Sequence, residues 1–189
     1  MERIPVVASV ILLGLIIVLW LDLRKKDSRT IVKIITGVYV IGVMYFTLFS
    51  REPSGSNRIN LILFDSWYRS LRYPVDTANF MHNLLTGQYD LVFTTLKPIE
   101  TALLNIMLFI PFGYILPLHL QKKRSRLKTV IGYSIICSLC IEIIQTITSL
   151  GWFDIDDLFC NIVGSIIGFT LYKIGRWTAY TLREKGEKV

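Results

Sequence analysis

Apolar residues in this chain are gathered into long blocks that are separated by charged connections. The blocks are residues 4–21, 31–49, 99–120, 127–150 and 158–177. Each approaches the roughly 17–25 residues that a helix needs to cross a bilayer. A spanning segment must satisfy its own backbone hydrogen bonds, which a helix does. The sequence therefore predicts an all-α fold, a polytopic membrane helical bundle of about five transmembrane helices, as a single membrane domain over residues 1–189.

The net charge of +7 comes from Lys and Arg in the connections between these blocks. Basic residues cluster in 24–29, 122–128 and 173–188, whereas the connection 148–157 contains no Lys or Arg. Short cytoplasmic loops carry such an excess of positive charge. We therefore expect a multi-pass protein of the cell membrane with its N-terminus outside and its C-terminus in the cytoplasm. This distribution reports orientation, and no nucleic-acid partner is expected.

The first block has two interpretations, a retained signal-anchor helix over about 4–21 and a cleaved signal peptide. Glu2 and Arg3 make its start charge-balanced, no small-x-small cleavage site follows, and a basic cluster comes directly after the apolar run. These features favour the retained anchor.

Residues 50–98 form the largest region outside the blocks. They are rich in aromatic and apolar residues, which disordered linkers lack. The pieces 60–72 and 77–93 look amphipathic, which predicts short interfacial or re-entrant helices. A cap that merely covers the helix ends is the alternative.

Prolines and glycines in two blocks indicate how the helices pack. Pro111 removes a helix donor and leaves the Met107 carbonyl without its usual partner, so a kink is expected there. Together with Gly113 it either opens space around Asn105 or adjusts helix packing. Gly164 and Gly168 form a GxxxG motif, which lets another helix backbone approach. That helix can belong to the same chain or to a second copy, so a homo-oligomer is possible.

The cysteines are Cys137, Cys140 and Cys160. All fall inside apolar blocks, where a redox pair lacks thiolate access. We expect three buried packing residues and no disulfide framework.

Polar residues recur at helical spacing inside the last two blocks. Glu142 and Gln145 are three residues apart and share one helix face. Asp157 and Asn161 form a second stripe, in which Asp157 occupies a first helical turn that favours a carboxylate. Asn105 occupies the third block. Ionisable groups at membrane depth are costly, which makes this set a candidate functional site.

The predicted topology places these residues, together with Asp154, in the outer part of the bundle. A single pocket on the extracytoplasmic side is one interpretation. The other is an internal polar lock, in which the Glu142 carboxyl is protonated or bonds the neighbouring amides and holds the helices in register. Taken individually, Asp154 and Asp156 are expected to be solvated loop residues.

At these residues the chain resembles the VanZ-like family of bacterial membrane proteins. The matching pieces are residues 105–113, Glu142-Ile-Ile-Gln145, Asp154-Ile-Asp-Asp157 with Asn161 and Gly164, and upstream Arg51 and Asn60-Leu-Ile-Leu-Phe64. The resemblance covers about residues 46–169. Two positions depart from the family pattern: Gly151 stands where an Arg is frequent, and Leu63 replaces a Pro.

The resemblance implies a role at the cell envelope, since the family's namesake lowers susceptibility to teicoplanin-type glycopeptide antibiotics. We expect the chain to bind an envelope lipid or an amphiphilic antibiotic. Its expected partners are membrane lipids, a lipid-linked cell-wall precursor or a glycopeptide antibiotic. The predicted binding residues are Asn60, Asn105, Glu142, Gln145, Asp154, Asp157 and Asn161.

A membrane enzyme acting on a lipid-linked envelope substrate is the alternative. Glu142 would serve as acid or base with Asp157 as its partner, since paired carboxylates with separated pKa values suit such chemistry. His82 and His119 lie away from this set, so no nucleophile–base pair is evident. Neither a metal nor a cofactor is expected. A transporter is less favoured because no inverted repeat appears.

Overall fold

A computed structural model describes residues 29–49, 59–65, 67–68, 82, 85–87, 89–120 and 126–184. The helices are α1 (Arg29–Met44), which continues as a π-helical turn (Tyr45–Phe49), α2 (Tyr89–His119), α3 (Leu127–Ile147) and α4 (Ile155–Glu184). Two short strands, β1 (Ile59–Asn60) and β2 (Phe153–Asp154), pair in parallel. The described residues are mostly helical, as an all-α class requires.

Three of these helices are long and apolar enough to cross a membrane, over Lys97–His119, Leu127–Ile147 and Ile155–Thr181. The apolar part of α1 with its π turn is shorter, Val32–Leu48, at the lower edge of the roughly 17–25 residues that span a bilayer. The predicted anchor over 4–21 lies outside the described residues. The expected count of about five transmembrane helices is therefore not confirmed.

The backbones of α2 and α4 lie so close that no side chain would fit at three glycines. A Cβ there would collide with the opposite carbonyl oxygen, at the pairs Gly113–Ser165, Gly164–Ile106 and Gly168–Ile110. From the second pair to the third, the residue number rises by four in both helices, so α2 and α4 run parallel. This confirms close packing at Gly164 and Gly168, and Gly113 also serves packing.

Hydrogen bonds between helices fix the direction of α1. Thr36 Oγ1 lies 2.8 Å from His119 Nε2, so the first half of α1 reaches the end of α2. Gln145 Nε2 donates to the Thr47 carbonyl at 2.8 Å, which joins the end of α1 to the end of α3. One end of the bundle therefore collects the ends of α1 and α3 with the starts of α2 and α4.

Helix α2 runs through three internal prolines, Pro98, Pro111 and Pro117. The Tyr39 hydroxyl donates at 2.9 Å to the Leu108 carbonyl, next to the Met107 carbonyl that Pro111 leaves without its helical donor. The bond attaches α1 to this part of α2. The kink expected at Pro111 stays a prediction.

An apolar core lies toward the opposite end of the bundle. Tyr114, Val130, Phe169 and Tyr172 are buried against one another. The Tyr114 and Tyr172 rings meet edge to face with centroids 6.0 Å apart, a favourable aromatic geometry.

The region before the membrane-length segment of α2 differs from the sequence expectations. Asn60 lies in β1 rather than in a helix over 60–72, and a left-handed backbone at Phe64 (φ 64°) turns the chain there. Of the piece 77–93, the residues from Tyr89 onward belong to α2, and most of 77–88 lies outside the described residues. Helix α2 also continues through Pro98, the last residue of the region 50–98. A proline removes only one backbone donor, and a helix can continue through it when its packing compensates.

Candidate binding site at the polar end of the bundle

The segment around Asn60 is attached to the chain just before α4. In the parallel strand pair Asn60 lies opposite Asp154, and its Nδ2 donates to Asp154 Oδ1 at 3.2 Å. Asn60 Oδ1 accepts from the Ile62 backbone N–H at 3.2 Å. Both ends of the Asn60 carboxamide are thus used, and the side chain is held in a single orientation.

Asp156 fixes the turn at Phe64, which follows β1. Its Oδ1 accepts from the Phe64 backbone N–H at 2.5 Å, and its own N–H donates to Asp154 Oδ1 at 3.0 Å. A left-handed backbone costs a bulky residue such as Phe64 roughly 1–3 kcal/mol. The bond from Asp156 helps to offset that cost. Asp156 is only 3% exposed, so the expectation of a solvated loop residue was wrong.

Glu142 of α3 reaches the same junction from inside the bundle. Its side chain is 1% exposed, and Oε2 accepts from the Asp154 backbone N–H at 3.1 Å. This bond ties α3 to the chain segment just before α4. Glu142 therefore makes a polar contact between these two segments, whereas the expected partners of its carboxyl were the neighbouring amides.

Small hydroxyl groups carry the rest of the lock between α3 and α4. Asn161 Nδ2 donates to Ser138 Oγ at 2.7 Å, and Ser165 Oγ donates to Ser134 Oγ at 2.8 Å. The three serines are fully buried. Sequence reasoning missed them, although Ser134, Ser138 and Glu142 recur every four residues on one face of α3. Such spacing of small polar residues is typical of membrane helix interfaces.

Three buried amide atoms find no hydrogen-bond partner within the part of the chain that the structure describes. They are Asn105 Nδ2, Gln145 Oε1 and Asn161 Oδ1. Burying an unpaired amide atom costs about 1–3 kcal/mol. These side chains therefore make the interior polar at a cost in stability.

A cavity of about 740 Å³ opens at this end of the bundle. Its described wall consists of Ile59, Asn60, Leu61, Ile62, Asp65, Trp67, Lys97, Pro98, Thr101, Ala102, Trp152, Asp154, Asp156 and Asp157. Lys97 begins one membrane-length segment and Asp157 lies in the first turn of another. The cavity thus lies where apolar helices begin, and its volume falls within the roughly 300–1,000 Å³ of ligand pockets.

The structure divides the predicted site residues into two groups. Asn60, Asp154 and Asp157 are on the cavity wall. The other four are buried and not among the described wall residues: Asn105, Glu142, Gln145 and Asn161. Sequence reasoning had expected one pocket for all of them. Glu142 connects the groups through the Asp154 backbone N–H.

Sequence reasoning missed most of the other wall residues. Lys97, Thr101 and Trp152 come from different connections and helix starts. Their only signal in the sequence was interfacial character, because Trp and Lys gather where apolar segments end.

The described wall offers hydrogen-bond acceptors, one ammonium group and two indole rings, but no His, Cys or Ser. Within the residues that the structure describes, no group of three or more His, Cys, Asp or Glu side chains is placed to hold a metal ion. The three cysteines are free, and Cys140 is exposed rather than buried as expected, because it lies on the outward face of α3. The acceptors, the ammonium group and the indole rings of the cavity wall suit recognition of a polar group.

Comparison with known proteins agrees with the resemblance noted above. The family described as VanZ/LLP1 matches residues 36–176. Protein VanZ of Enterococcus faecium is 37% identical over 68 residues, which are 36% of this chain and 41% of that protein. The chain thus matches less than half of the length of that relative. No solved structure gave a significant match.

Proposed function

The chain belongs to the VanZ/LLP1 family, and from this premise we propose that it acts at the cell envelope as a multi-pass membrane protein. It binds the head group of an envelope lipid or of an amphiphilic antibiotic in the cavity at the polar end of the bundle. Through this binding it lowers susceptibility to teicoplanin-type glycopeptides.

The observation that carries the proposal is the location of the cavity. Its wall combines polar groups such as Asn60 and Asp157 with residues at the start of two membrane-length segments. A molecule with a polar head and an apolar chain can place its head in such a cavity while its chain stays in the bilayer. A wholly water-soluble ligand would not need this arrangement.

The charges of the connections support an outward-facing cavity. Arg126 and Lys128, at the start of α3, lie at the end of the bundle opposite to the cavity. The connection 148–157, which contributes cavity residues, has no Lys or Arg. By the positive-inside rule the cavity faces away from the cytoplasm, toward the envelope ligands.

The burial of Glu142 disfavours the alternative of an envelope enzyme. A catalytic acid or base must come within hydrogen-bond reach of the reacting group. Glu142 is 1% exposed, is not among the described wall residues and accepts a backbone N–H. We assign it the role of holding the cavity wall.

A pair of bulky substitutions tests the proposal. Thr101 is exposed on the wall, whereas Leu103, also exposed, is not among the described wall residues. Thr101→Trp fills part of the cavity and Leu103→Trp adds the same bulk outside it. We expect the wild-type chain and Leu103→Trp, expressed in a susceptible host, to raise the inhibitory concentration of teicoplanin about equally. Thr101→Trp should lose most of that increase.

Binding of teicoplanin and of a lipid-linked cell-wall precursor to the purified variants, in lipid discs, gives the second readout. Equal protection and equal binding by Thr101→Trp and the wild type would rule out this cavity. Membrane levels of both variants, measured by immunoblot, control for expression.

A further inference from the structure

Two indole rings and several hydrogen-bond acceptors occur together on the described cavity wall. Trp67 and Trp152 line the same space as Asn60, Asp154 and Asp157. We propose that this cavity recognises a glycosyl head group on a membrane-anchored amphiphile. The inference rests on the proposed function and names the part of the ligand that the cavity binds.

The wall matches the two kinds of surface of a sugar ring. A sugar presents hydroxyl groups around its edge and C–H groups on its faces. Carboxylates such as Asp157 accept hydrogen bonds from hydroxyls, and the Asn60 carboxamide belongs to a group type that both donates and accepts. An indole such as that of Trp152, which is 45% exposed, offers a broad apolar face for the C–H groups.

The charges on the wall disfavour a phosphate as the recognised group. The described wall carries one ammonium group, Lys97, and four carboxylates: Asp65, Asp154, Asp156 and Asp157. A phosphate is itself negatively charged, and it would be repelled by neighbouring carboxylates near a protein surface. Neutral hydroxyl groups avoid that repulsion and still hydrogen-bond to the carboxylates.

The acceptors are held in place by contacts within the protein. Asp154 is bonded by Asn60 Nδ2, and its backbone N–H is held by Glu142. Side chains that are fixed before binding lose little conformational entropy when the ligand arrives. Such preorganisation suits recognition of a rigid ring with hydroxyls in defined directions.

The cavity also has an apolar lip that suits a lipid-linked sugar. Leu61 and Ile62 line the cavity, and each is 65% exposed. They lie at the end of the bundle where the membrane-length helices begin. The apolar part of a glycolipid next to its sugar can contact this lip.

The test compares two lipids that differ only in their head group. The protein is placed in phosphatidylcholine discs that contain equal fractions of monoglucosyl-diacylglycerol and phosphatidic acid with the same acyl chains. Native mass spectrometry then counts the lipids that remain bound after mild release. We expect the glucosyl lipid to be retained about tenfold over phosphatidic acid, as hydrogen bonds to charged groups allow.

Matched variants locate the binding. Trp152→Ala removes a wall indole, whereas Trp177→Ala removes an exposed indole near the far end of α4. Asp157→Asn and Glu100→Gln form a second pair, since Glu100 is not among the described wall residues. The wall variants should lose most of the preference for the glucosyl lipid and the controls should keep it. The melting temperature of each variant shows whether it folds.

The outcomes separate this inference from the proposed function. Equal or greater retention of phosphatidic acid would overturn glycosyl recognition while leaving amphiphile binding intact. Retention of neither lipid overturns glycosyl recognition, and teicoplanin binding that Thr101→Trp abolishes would still support the proposed function. Retention of the glucosyl lipid that no wall variant changes would overturn the assignment to this cavity.

Discussion

Asp154 is the residue at which three segments of the polar end meet. Its backbone N–H donates to Glu142 of α3, and its side chain accepts from Asn60 of β1 and from the Asp156 N–H at the start of α4. The contacts with Glu142 and Asn60 join separate segments of the chain, and the bond from Asp156 fixes the local turn before α4. The geometry of the cavity wall therefore depends on a few hydrogen bonds to carboxylates.

Replacing Glu142 tests this dependence. Glu142→Ala removes the acceptor of the Asp154 N–H and leaves a void at a fully buried position. Leaving a buried N–H without its acceptor costs about 1–3 kcal/mol, so the free energy of unfolding should fall by about 2 kcal/mol or more. Unfolding by dodecyl sulfate in mixed micelles measures this change.

Two carboxylate substitutions provide the controls for Glu142. Glu142→Gln keeps an acceptor oxygen and should lose less stability than Glu142→Ala. Glu100→Gln removes a charge from a partly exposed position on α2 and should change the free energy of unfolding by no more than about 0.5 kcal/mol. A loss for Glu142→Ala no larger than that for Glu100→Gln would contradict the structural role of this carboxylate.

Among the helices, the parallel pair α2 and α4 makes the most intimate contact. Backbone meets backbone at Gly113, Gly164 and Gly168, each of which faces a carbonyl of the other helix. Membrane helices gain their association from such close packing, because lipid tails already solvate apolar side chains. The start of α4, which carries Asp156 and Asp157, is thereby held next to the start of the α2 membrane segment.

Adding one methyl group at this contact should force the helices apart. Gly164→Ala directs its Cβ into the Ile106 carbonyl, and overpacking of this kind costs about 1–3 kcal/mol. The same change at Gly132 of α3, where nothing lies within 4 Å, should be neutral or stabilise the helix by up to about 1 kcal/mol. Unfolding in mixed micelles compares the two variants. Equal stability would contradict the close contact of α2 with α4.

At the scale of the whole molecule, the bundle has two different ends. One end has an apolar core of Tyr114, Val130, Phe169 and Tyr172. The other has the buried polar lock and the cavity. In a membrane these ends face different compartments, so the orientation of the bundle decides which ligands reach the cavity.

Cysteine labelling tests the proposed orientation. Ile62→Cys places a thiol on the cavity lip, and Lys128→Cys places one at the start of α3, at the opposite end. We expect a membrane-impermeant maleimide to label Ile62→Cys in intact cells and to label Lys128→Cys only after permeabilisation. The unmodified chain measures the background from the native cysteines, which lie within α3 and α4. The reverse pattern would place the cavity in the cytoplasm.

The sequence by itself determined the helical class, three of the membrane-length segments and the faces of α3 and α4 that turn inward. These properties follow from the thickness of the bilayer and the period of the helix, which act on each segment separately. Glu142, Gln145 and Asn161 were recognised as buried for this reason, and Gly164 and Gly168 as a close contact.

Only the tertiary structure decided which of these residues bond each other and which line the cavity. Asn60 and Asp154 are 94 residues apart in the chain, and no local pattern predicts their hydrogen bond. The pairing of Ser138 with Asn161 likewise depends on how two helices are rotated against each other. Asp156 is buried because a distant turn bonds to it. Helical periodicity shows which side of a helix faces inward, but only the packed bundle determines what that side meets.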